Sequence, residues 1–177
     1  MSRFITAVAA IGVLGLGACA QDERAEPQEG TPPPAQVQVA SPDTTASALW
    51  AHVEQAGYRT TWPLWPGKAK LYKGTEPHGM LLTTYLNSVA LDAVTNKAGR
   101  MPAGAVVVKE NYMPDSTLAA ITIMYKSPGY NPDFGNWFFV KRLASGTVEA
   151  SGRVPGCQGC HASQAATDYL FTGSISQ

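Results

Sequence analysis

The pattern of apolar and polar positions predicts four strands from position 79 onward. Runs rich in β-branched and aromatic residues occupy positions 79–87, 103–112, 119–126 and 135–143, and turn-forming residues separate them. Strands joined by short turns pair in antiparallel fashion. We therefore expect a mostly β domain of the α+β class, an antiparallel sheet or sandwich with a few short helices packed on it.

Three segments have a helical pattern instead. Apolar residues at 47–59 share one side of a predicted helix, which Gly57 ends. A second helix is predicted over 89–97, with Ser88 as its N-cap. The tail at 161–171 also has helical character, so a short helix is expected at the C-terminus.

The N-terminus has the pattern of a secretory signal. Arg3 precedes an apolar run over 4–18, which is short for a membrane-spanning helix. The run ends in the sequence LGAC, which resembles the lipobox of bacterial lipoproteins, where the cysteine is acylated and becomes the mature N-terminus. We expect residues 1–18 to be a signal peptide and Cys19 to carry lipid. An ordinary cleaved signal with an incidental cysteine is the alternative.

Composition divides the rest of the chain in two. Residues 19–46 are rich in Pro, Ala, Gln and acidic side chains and have no apolar period, so they are predicted to form a disordered tether. The folded domain is then expected over 47–177. Thirteen basic residues balance thirteen acidic ones without a basic cluster, which disfavours nucleic acid as a partner.

The sequence Cys-Gln-Gly-Cys-His near the C-terminus carries the clearest chemistry. In a helical turn, Cys157, Cys160 and His161 lie on one face because they stand at positions i, i+3 and i+4. Cys-x-x-Cys-His is the attachment pattern of c-type haem, in which both thiols bond the porphyrin and the imidazole binds iron. We expect one covalent haem c held by these three residues.

Three alternatives compete with haem at this motif. A thioredoxin-like redox pair belongs early in a chain, after the first strand of a βαβ unit. A structural zinc site needs four ligands, and the remaining histidines are His52 and His78. A Cys157–Cys160 disulfide is compatible with an exported protein but leaves His161 without a role.

The late position of the motif affects the other side of the haem. The sixteen residues after His161 contain no Met, His, Lys or Cys, so a second axial ligand would have to come from upstream. The candidates are His52, His78, a lysine, Met80, Met101, Met113 and Met124. We expect the methionines to pack in the core, and a five-coordinate iron open to a small ligand is the simpler prediction. This argues against a plain electron carrier.

Positions 83–112, the sequence GNWFFVKR and the terminal CQGCH together resemble the cytochrome P-460 family, whose relatives include cytochrome c-prime-beta. The resemblance extends over roughly Trp50 to Phe171. It implies a largely antiparallel sheet, a homodimer and a five-coordinate haem with histidine below. In hydroxylamine-oxidising members a lysine is bonded to a haem meso carbon, and the matching residue is Lys109.

The resemblance also implies a proton acceptor near the iron, since some members use an acidic residue shortly before the haem motif. Glu149 is the nearest candidate, with a solvated loop carboxylate as the alternative, whereas Glu110 is expected on the opposite strand face. Leu82 stands where some hydroxylamine-oxidising members have arginine, which implies a drier pocket. Trp137, Phe138 and Phe139 are candidates for the pocket wall, and His78 for its mouth.

We therefore expect a periplasmic lipoprotein, with the outer membrane as the candidate site of its anchor, that oxidises hydroxylamine towards nitrous or nitric oxide. The alternative is a non-catalytic binder of nitric oxide or another gas, of the c-prime-beta type. A redox partner such as a soluble cytochrome is implied by the first function. Membrane contact is expected through the lipid on Cys19 alone.

Overall fold

The computed structural model describes residues 41–175, and within this range the chain forms one six-stranded antiparallel sheet with short helices on both faces. The strands are β1 (Tyr72–Lys73), β2 (Leu81–Leu86), β3 (Val106–Tyr112), β4 (Leu118–Lys126), β5 (Trp137–Leu143) and β6 (Val148–Gly152), in that spatial order. Each strand pairs with the next along the chain, so the sheet is a simple meander. The expected mostly β fold is confirmed.

Four α-helices and two 3₁₀ segments flank the sheet in the described range. The helices are α1 (Ala46–Gln55), α2 (Tyr58–Thr61), α3 (Ser88–Thr95) and α4 (Pro155–His161), and the 3₁₀ segments are Pro132–Phe134 and Ala162–Thr167. None of these helices is long and apolar enough to span a bilayer. The predicted signal peptide, the lipidation site Cys19 and most of the predicted tether lie outside the described residues.

Several details of the sequence-based prediction were wrong. The tail at 161–171 is not one helix, because α4 ends at His161 and a 3₁₀ segment, Ala162–Thr167, follows it. Met80 and Met113, expected in the core, are exposed.

The N-cap of α3 is Asn87 and not Ser88, because the Asn87 side chain accepts the Ala90 N–H at 3.0 Å and the Val106 N–H at 3.0 Å. One side chain thus caps the helix and also secures the start of β3. In addition, β6 and the two-residue β1 were not predicted, because neither has a run of apolar residues long enough to signal a strand.

The two faces of the sheet have separate cores. On the first face, hereafter the helix face, α1 and α2 cover alternate residues of β3 to β5, and Leu49, Val53 and Tyr58 are buried there. On the second face, hereafter the pocket face, α3 and the C-terminal segment pack on the residues in between, including Val107, Met124 and Phe139. Strand alternation therefore decides which side chains are available to the terminal motif.

A buried carboxylate organises the helix face. Glu110 is 1% exposed, and its oxygens accept hydrogen bonds from the Tyr58 hydroxyl at 2.8 Å, the Tyr112 hydroxyl at 2.6 Å and Arg59 Nε at 2.5 Å. Burial, together with the charge of Glu110, raises the pKa of both tyrosines. The cluster joins α2 to the middle of the sheet and confirms that Glu110 points away from the terminal motif.

We expect Glu110→Ala to lower the free energy of unfolding by about 3 kcal/mol, because the substitution leaves buried tyrosine hydroxyls without an acceptor. Urea unfolding followed by tryptophan fluorescence measures the change. Glu54→Ala, which removes an exposed carboxylate from α1, is the matched control and should change stability little. Equal stability of the two variants would contradict the structural role of Glu110.

Candidate functional site

The terminal motif forms one helix, as expected. Val154 is the N-cap of α4, and Pro155 occupies its first turn, where a missing N–H costs nothing. Cys157 is half-buried, Cys160 is exposed and His161 is 6% exposed, and all three border one cavity. Both thiols are free.

His161 is oriented by a backbone carbonyl. Its Nδ1 donates to the oxygen of Tyr169 at 2.6 Å, so Nε2 carries the free lone pair. Burial lowers the pKa of His161, which favours the neutral ring that metal binding requires. The rings of Phe139 and Phe171 contact the imidazole edge-on, with centroids 5.3 and 5.1 Å away.

Asp168 holds the segment that carries this carbonyl. Its carboxylate pairs with buried Lys126 at 2.6 Å and accepts the Met101 N–H at 2.8 Å, while its backbone oxygen accepts Trp137 Nε1–H at 2.8 Å. Asp168 and Tyr169 both have positive φ, 54° and 66°, a conformation that non-glycine residues adopt at a cost. The contacts of Asp168 stabilise this turn, which directs the Tyr169 carbonyl back towards His161.

The cavity beside His161 has a volume of about 480 Å³, within the range of small-molecule and cofactor sites. On the sheet side it is lined by the pocket-face residues Val107, Lys109, Asn111, Thr122, Met124 and Phe139. A second cavity of about 210 Å³ adjoins it near β1, and His78, Lys109, Cys160 and Phe171 border both.

Lys109 lies at the centre of the pocket face. It pairs with Thr84 of β2 and Thr122 of β4, and its side chain is partly buried between the two cavities. Burial, and then the charge of Lys68, lower the pKa of Lys109 to about 8. The lowered pKa gives Lys109 more neutral, nucleophilic amine near neutral pH than an exposed lysine has.

A β-bulge brings Glu149 to the cavity. Lys141 pairs with Ala150 and Arg142 pairs with Val148, so Glu149 is the extra residue in β6. The bulge places its carboxylate on the cavity side, where it forms an ion pair with Lys141 at 2.9 Å. The Glu149 side chain is 49% exposed, which puts the pair at the cavity rim.

His78 lies inside the site and also makes a structural hydrogen bond. It belongs to the loop between β1 and β2, borders the cavity, and its ring faces that of His161 with centroids 6.1 Å apart. Its Nδ1 is 3.1 Å from Asn111 Oδ1. Burial first, then the charges of Lys109 and His161, lower the pKa of His78 to about 4.

The other predicted wall residues divide by face. Phe139 lines the cavity, Trp137 is buried on the same face away from it, and Phe138 packs on the helix face. Leu82 borders the smaller cavity and is 5% exposed. Of the candidate methionine ligands, Met113 and Met124 border the cavity.

Asn111 and Thr122 were not singled out from the sequence. Asn111 Nδ2 donates to the backbone oxygens of Lys109 at 3.0 Å and Ala120 at 3.1 Å, and Thr122 Oγ1 accepts from it at 3.3 Å. Strand alternation from Lys109 indicates that Asn111 shares its face. Both side chains approach His78 Nδ1. His78 belongs to a loop, and strand alternation does not predict where loop residues lie.

The arrangement fits a haem. A buried imidazole with a free Nε2, two thiols at the spacing of c-type attachment and a largely apolar cavity lie together on one side of the sheet. Among residues 41–175, no group of three or more His, Cys, Asp or Glu side chains is placed to hold a metal ion, so nothing in this range supports the zinc alternative. The fold and site define a β-sheet haem protein.

The family comparison agrees with this class. A family model described as Cytochrome P460 matches residues 56–172, most of the chain. The chain therefore belongs to the cytochrome P460 family and is a haem protein of that type. No curated protein matches it.

We expect Asp168→Asn to lower the free energy of unfolding by about 3–5 kcal/mol, because it leaves the Lys126 ammonium buried without a counter-charge. Thermal unfolding measures this change. Asp133→Asn, at an exposed aspartate of a 3₁₀ segment, is the control. A stable Asp168→Asn protein would show that the ion pair does not anchor the C-terminal segment.

Proposed function

We propose that this protein oxidises hydroxylamine at a haem c whose iron is bound by His161. The observation that carries the proposal is the convergence of His161, Lys109 and Glu149 on one cavity. When bound, haem supplies an iron that coordinates the nitrogen of a small substrate and accepts its electrons. His161 would be the protein's ligand to that iron, and an open coordination site would take the substrate.

Cys157 and Cys160 hold the porphyrin by thioether bonds in this proposal. Each thiol adds across one vinyl group, so no atom is lost and no oxidant is consumed. The two residues are one helical turn apart on α4, and His161 directly follows Cys160. Attachment through these two thiols would leave His161 free to bind the iron.

Lys109 forms the additional bond to a haem meso carbon. The reaction joins Nζ to that carbon and removes one hydrogen from each, so a two-electron oxidant such as a peroxide must accept them. The partly buried amine, with a pKa of about 8, has the nucleophilic character that the bond requires. The cross-link restrains the macrocycle, which is one way in which a protein tunes a haem.

Glu149 accepts protons from the substrate. Its ion pair with Lys141 keeps the carboxylate at the cavity rim, where it can exchange protons with solvent. Two hydroxylamine molecules yield one nitrous oxide, one water, four protons and four electrons. A one-electron acceptor, such as a soluble cytochrome, must therefore receive the electrons.

Gas binding is the second candidate function. Leu82 is a buried apolar residue beside Lys109, and Phe139 and Met124 line the adjoining cavity. A dry pocket of this kind suits neutral nitric oxide or carbon monoxide, as in the c-prime-beta type. In that case the protein captures or senses a gas and turns nothing over.

The remaining proposals concern the cellular location and the oligomeric state of the protein. Acylation of Cys19 would fasten the protein to a membrane facing the periplasm, with the outer membrane as the candidate. A diacylglycerol together with an N-acyl chain supplies the several acyl groups that stable anchoring needs. Assembly as a homodimer is proposed from the family alone.

Mass spectrometry tests the haem attachment. We expect protein made with cytochrome-maturation machinery to keep haem after denaturation, on a peptide that holds Cys157 and Cys160 and also on the Lys109 peptide. The double variant Cys157→Ala/Cys160→Ala should lose the first linkage. Lys109→Arg keeps the positive charge but not the nucleophilic amine. This variant should lose only the haem linkage at position 109, together with the red shift of the ferrous Soret band. Haem that extracts freely from the native sequence would refute covalent attachment.

Steady-state turnover with hydroxylamine and a one-electron acceptor tests the enzyme function, with nitrous oxide measured as product. We expect Glu149→Gln to reduce kcat roughly 10²- to 10⁴-fold, as loss of a general base does. Glu76→Gln removes another carboxylate that borders the cavity and should have a small effect. Equal losses of kcat in the two variants would exclude Glu149 as the base. Haem-loaded native protein without turnover would favour gas binding.

A further inference from the structure

The smaller cavity has an excess of positive charge around it. Lys68, Lys73 and Lys109 border this cavity, and Glu76 is the one acidic residue among the described residues that border it. Lys68 and Lys73 are exposed, and neither belongs to an ion pair within residues 41–175. Three basic side chains therefore stand against one acidic side chain, although the whole sequence has no net charge.

The fold, and not a basic run in the sequence, brings these charges to the terminal motif. Lys68 precedes β1 and Lys73 ends it, whereas Cys160 and Phe171 come from the C-terminal segment and border the same cavity. Lys68 Nζ lies 5.2 Å from the centroid of the Tyr72 ring, which is within the range of a cation–π interaction. This contact keeps the Lys68 charge beside the cavity.

An exposed apolar residue separates the lysines along the chain. Leu71 is 39% exposed and follows Lys70, which is also exposed. Its φ of 56° lies in the left-handed region, which a bulky side chain adopts at a cost, and its N–H donates to Thr83 Oγ1 of β2 at 3.0 Å. Phe171, 46% exposed, adds a second apolar side chain at the edge of the smaller cavity. A strained backbone that presents a leucine to solvent favours a binding role for this segment.

The two cavities differ in the charged residues at their edges. Lys68 and Lys73 border the smaller cavity and not the larger one, whereas Lys141 and Glu149 border the larger cavity and not the smaller one. The carboxylate proposed to accept protons is thus separate from the basic surface. Cys160 is exposed beside that surface, so a porphyrin bonded to its thiol would have one edge close to solvent there.

We propose that the exposed lysines and apolar side chains beside the smaller cavity form the docking site of an acidic one-electron acceptor protein. This lysine surface consists of Lys68, Lys70, Leu71, Lys73 and Phe171. The proposal rests on the proposed function, which requires an acceptor but does not say where it binds. Apolar side chains among exposed lysines match the usual anatomy of an interface, with an apolar centre and a polar rim. Positive charge attracts an acidic protein from a distance and orients it during the encounter.

Docking at the lysine surface brings the acceptor next to the exposed Cys160. The acceptor gains one electron and the haem iron is oxidised from ferrous to ferric, so no bond forms or breaks in the protein. Electron transfer slows steeply with distance, which makes an exposed porphyrin edge the favourable exit. Encounters between electron-transfer proteins bury less than about 1,200 Å² in total, so a small surface is sufficient.

Electron transfer from the reduced protein tests the docking site without hydroxylamine. Haem-loaded native protein is reduced with dithionite, freed of excess reductant and mixed with an oxidised acidic c-type cytochrome in a stopped-flow spectrometer. We expect the second-order rate constant to fall about tenfold or more as ionic strength rises from about 10 mM to about 200 mM, because salt screens the attraction. A basic c-type cytochrome of similar potential should show no such fall. Equal salt dependence with both acceptors would overturn the proposal.

Charge reversal locates the attraction on the lysine surface. Lys68→Glu/Lys73→Glu should lower the low-salt rate constant with the acidic cytochrome about tenfold or more and remove most of its salt dependence. Lys97→Glu/Arg100→Glu makes the same change in net charge at exposed residues that border neither cavity. This control should stay within about twofold of the native rate constant. Equal losses in the two double variants would show that net charge, and not the lysine surface, governs the encounter.

A small uncharged quinone distinguishes loss of docking from damage to the haem. The quinone needs no docking surface, so both double variants should reduce it at the native rate. A loss with the quinone as large as the loss with the acidic cytochrome would show that Lys68 and Lys73 act on the haem itself, and would overturn the proposal.

Leu71→Asn tests the apolar part of the lysine surface. Asn tolerates the left-handed conformation, so the Tm of the variant should not fall. We expect its rate constant with the acidic cytochrome to be about threefold lower at high salt, where apolar contact contributes the larger share of the interaction. An unchanged rate constant at every ionic strength would exclude Leu71 from the docking site.

The outcomes for docking and for turnover are independent. Salt-dependent transfer through the lysine surface, in a protein that does not oxidise hydroxylamine, would support the docking site and refute the proposed enzyme function. Hydroxylamine oxidation by a protein whose Lys68→Glu/Lys73→Glu variant transfers electrons at the native rate would do the reverse.

Discussion

The buried pair between Lys126 and Asp168 is the contact on which the site depends. Asp168 binds β4 through Lys126, the loop between α3 and β3 through the Met101 amide, and β5 through Trp137. It thereby holds a turn with two consecutive positive φ angles. That turn supplies the carbonyl that orients His161. A short helix cannot fix the orientation of His161 by itself, and the buried charge pair provides the missing rigidity.

Because side chains alternate along a strand, neighbouring polar residues of β3 lie on opposite faces of the sheet and have different roles. Lys109 and Glu110 are neighbours in sequence, but one faces the cavities and the other is buried among tyrosines beneath α2. The buried and hydrogen-bonded Glu110 carboxylate is therefore structural, whereas the half-exposed Glu149 borders the site. Burial and hydrogen bonding alone do not show which carboxylate borders the cavity; the strand face does.

Much of the fold and part of the site follow from local patterns. The apolar runs of β2 to β5 are long enough to show their period, and three chemically distinctive residues at i, i+3 and i+4 make α4 the proposed site of haem attachment. β1 and β6 escape prediction because pairing with a neighbouring strand, and not their own composition, makes them strands. Asn and Ser are both common N-cap residues, so the local sequence does not distinguish Asn87 from Ser88. The hydrogen bond from the Val106 N–H to Asn87 Oδ1 favours Asn87 as the cap.

The sequence by itself determined the antiparallel class of the fold, the haem motif, and the separation of Lys109 from Glu110, because each depends on spacing within a single element. Only the tertiary structure decided that a bulge turns Glu149 towards Lys141 and that a loop closed by Gly74 and Gly79 brings His78 to 6.1 Å from His161. Contacts between distant segments depend on backbone geometry and close packing at every intervening element. No local pattern of residue types encodes them.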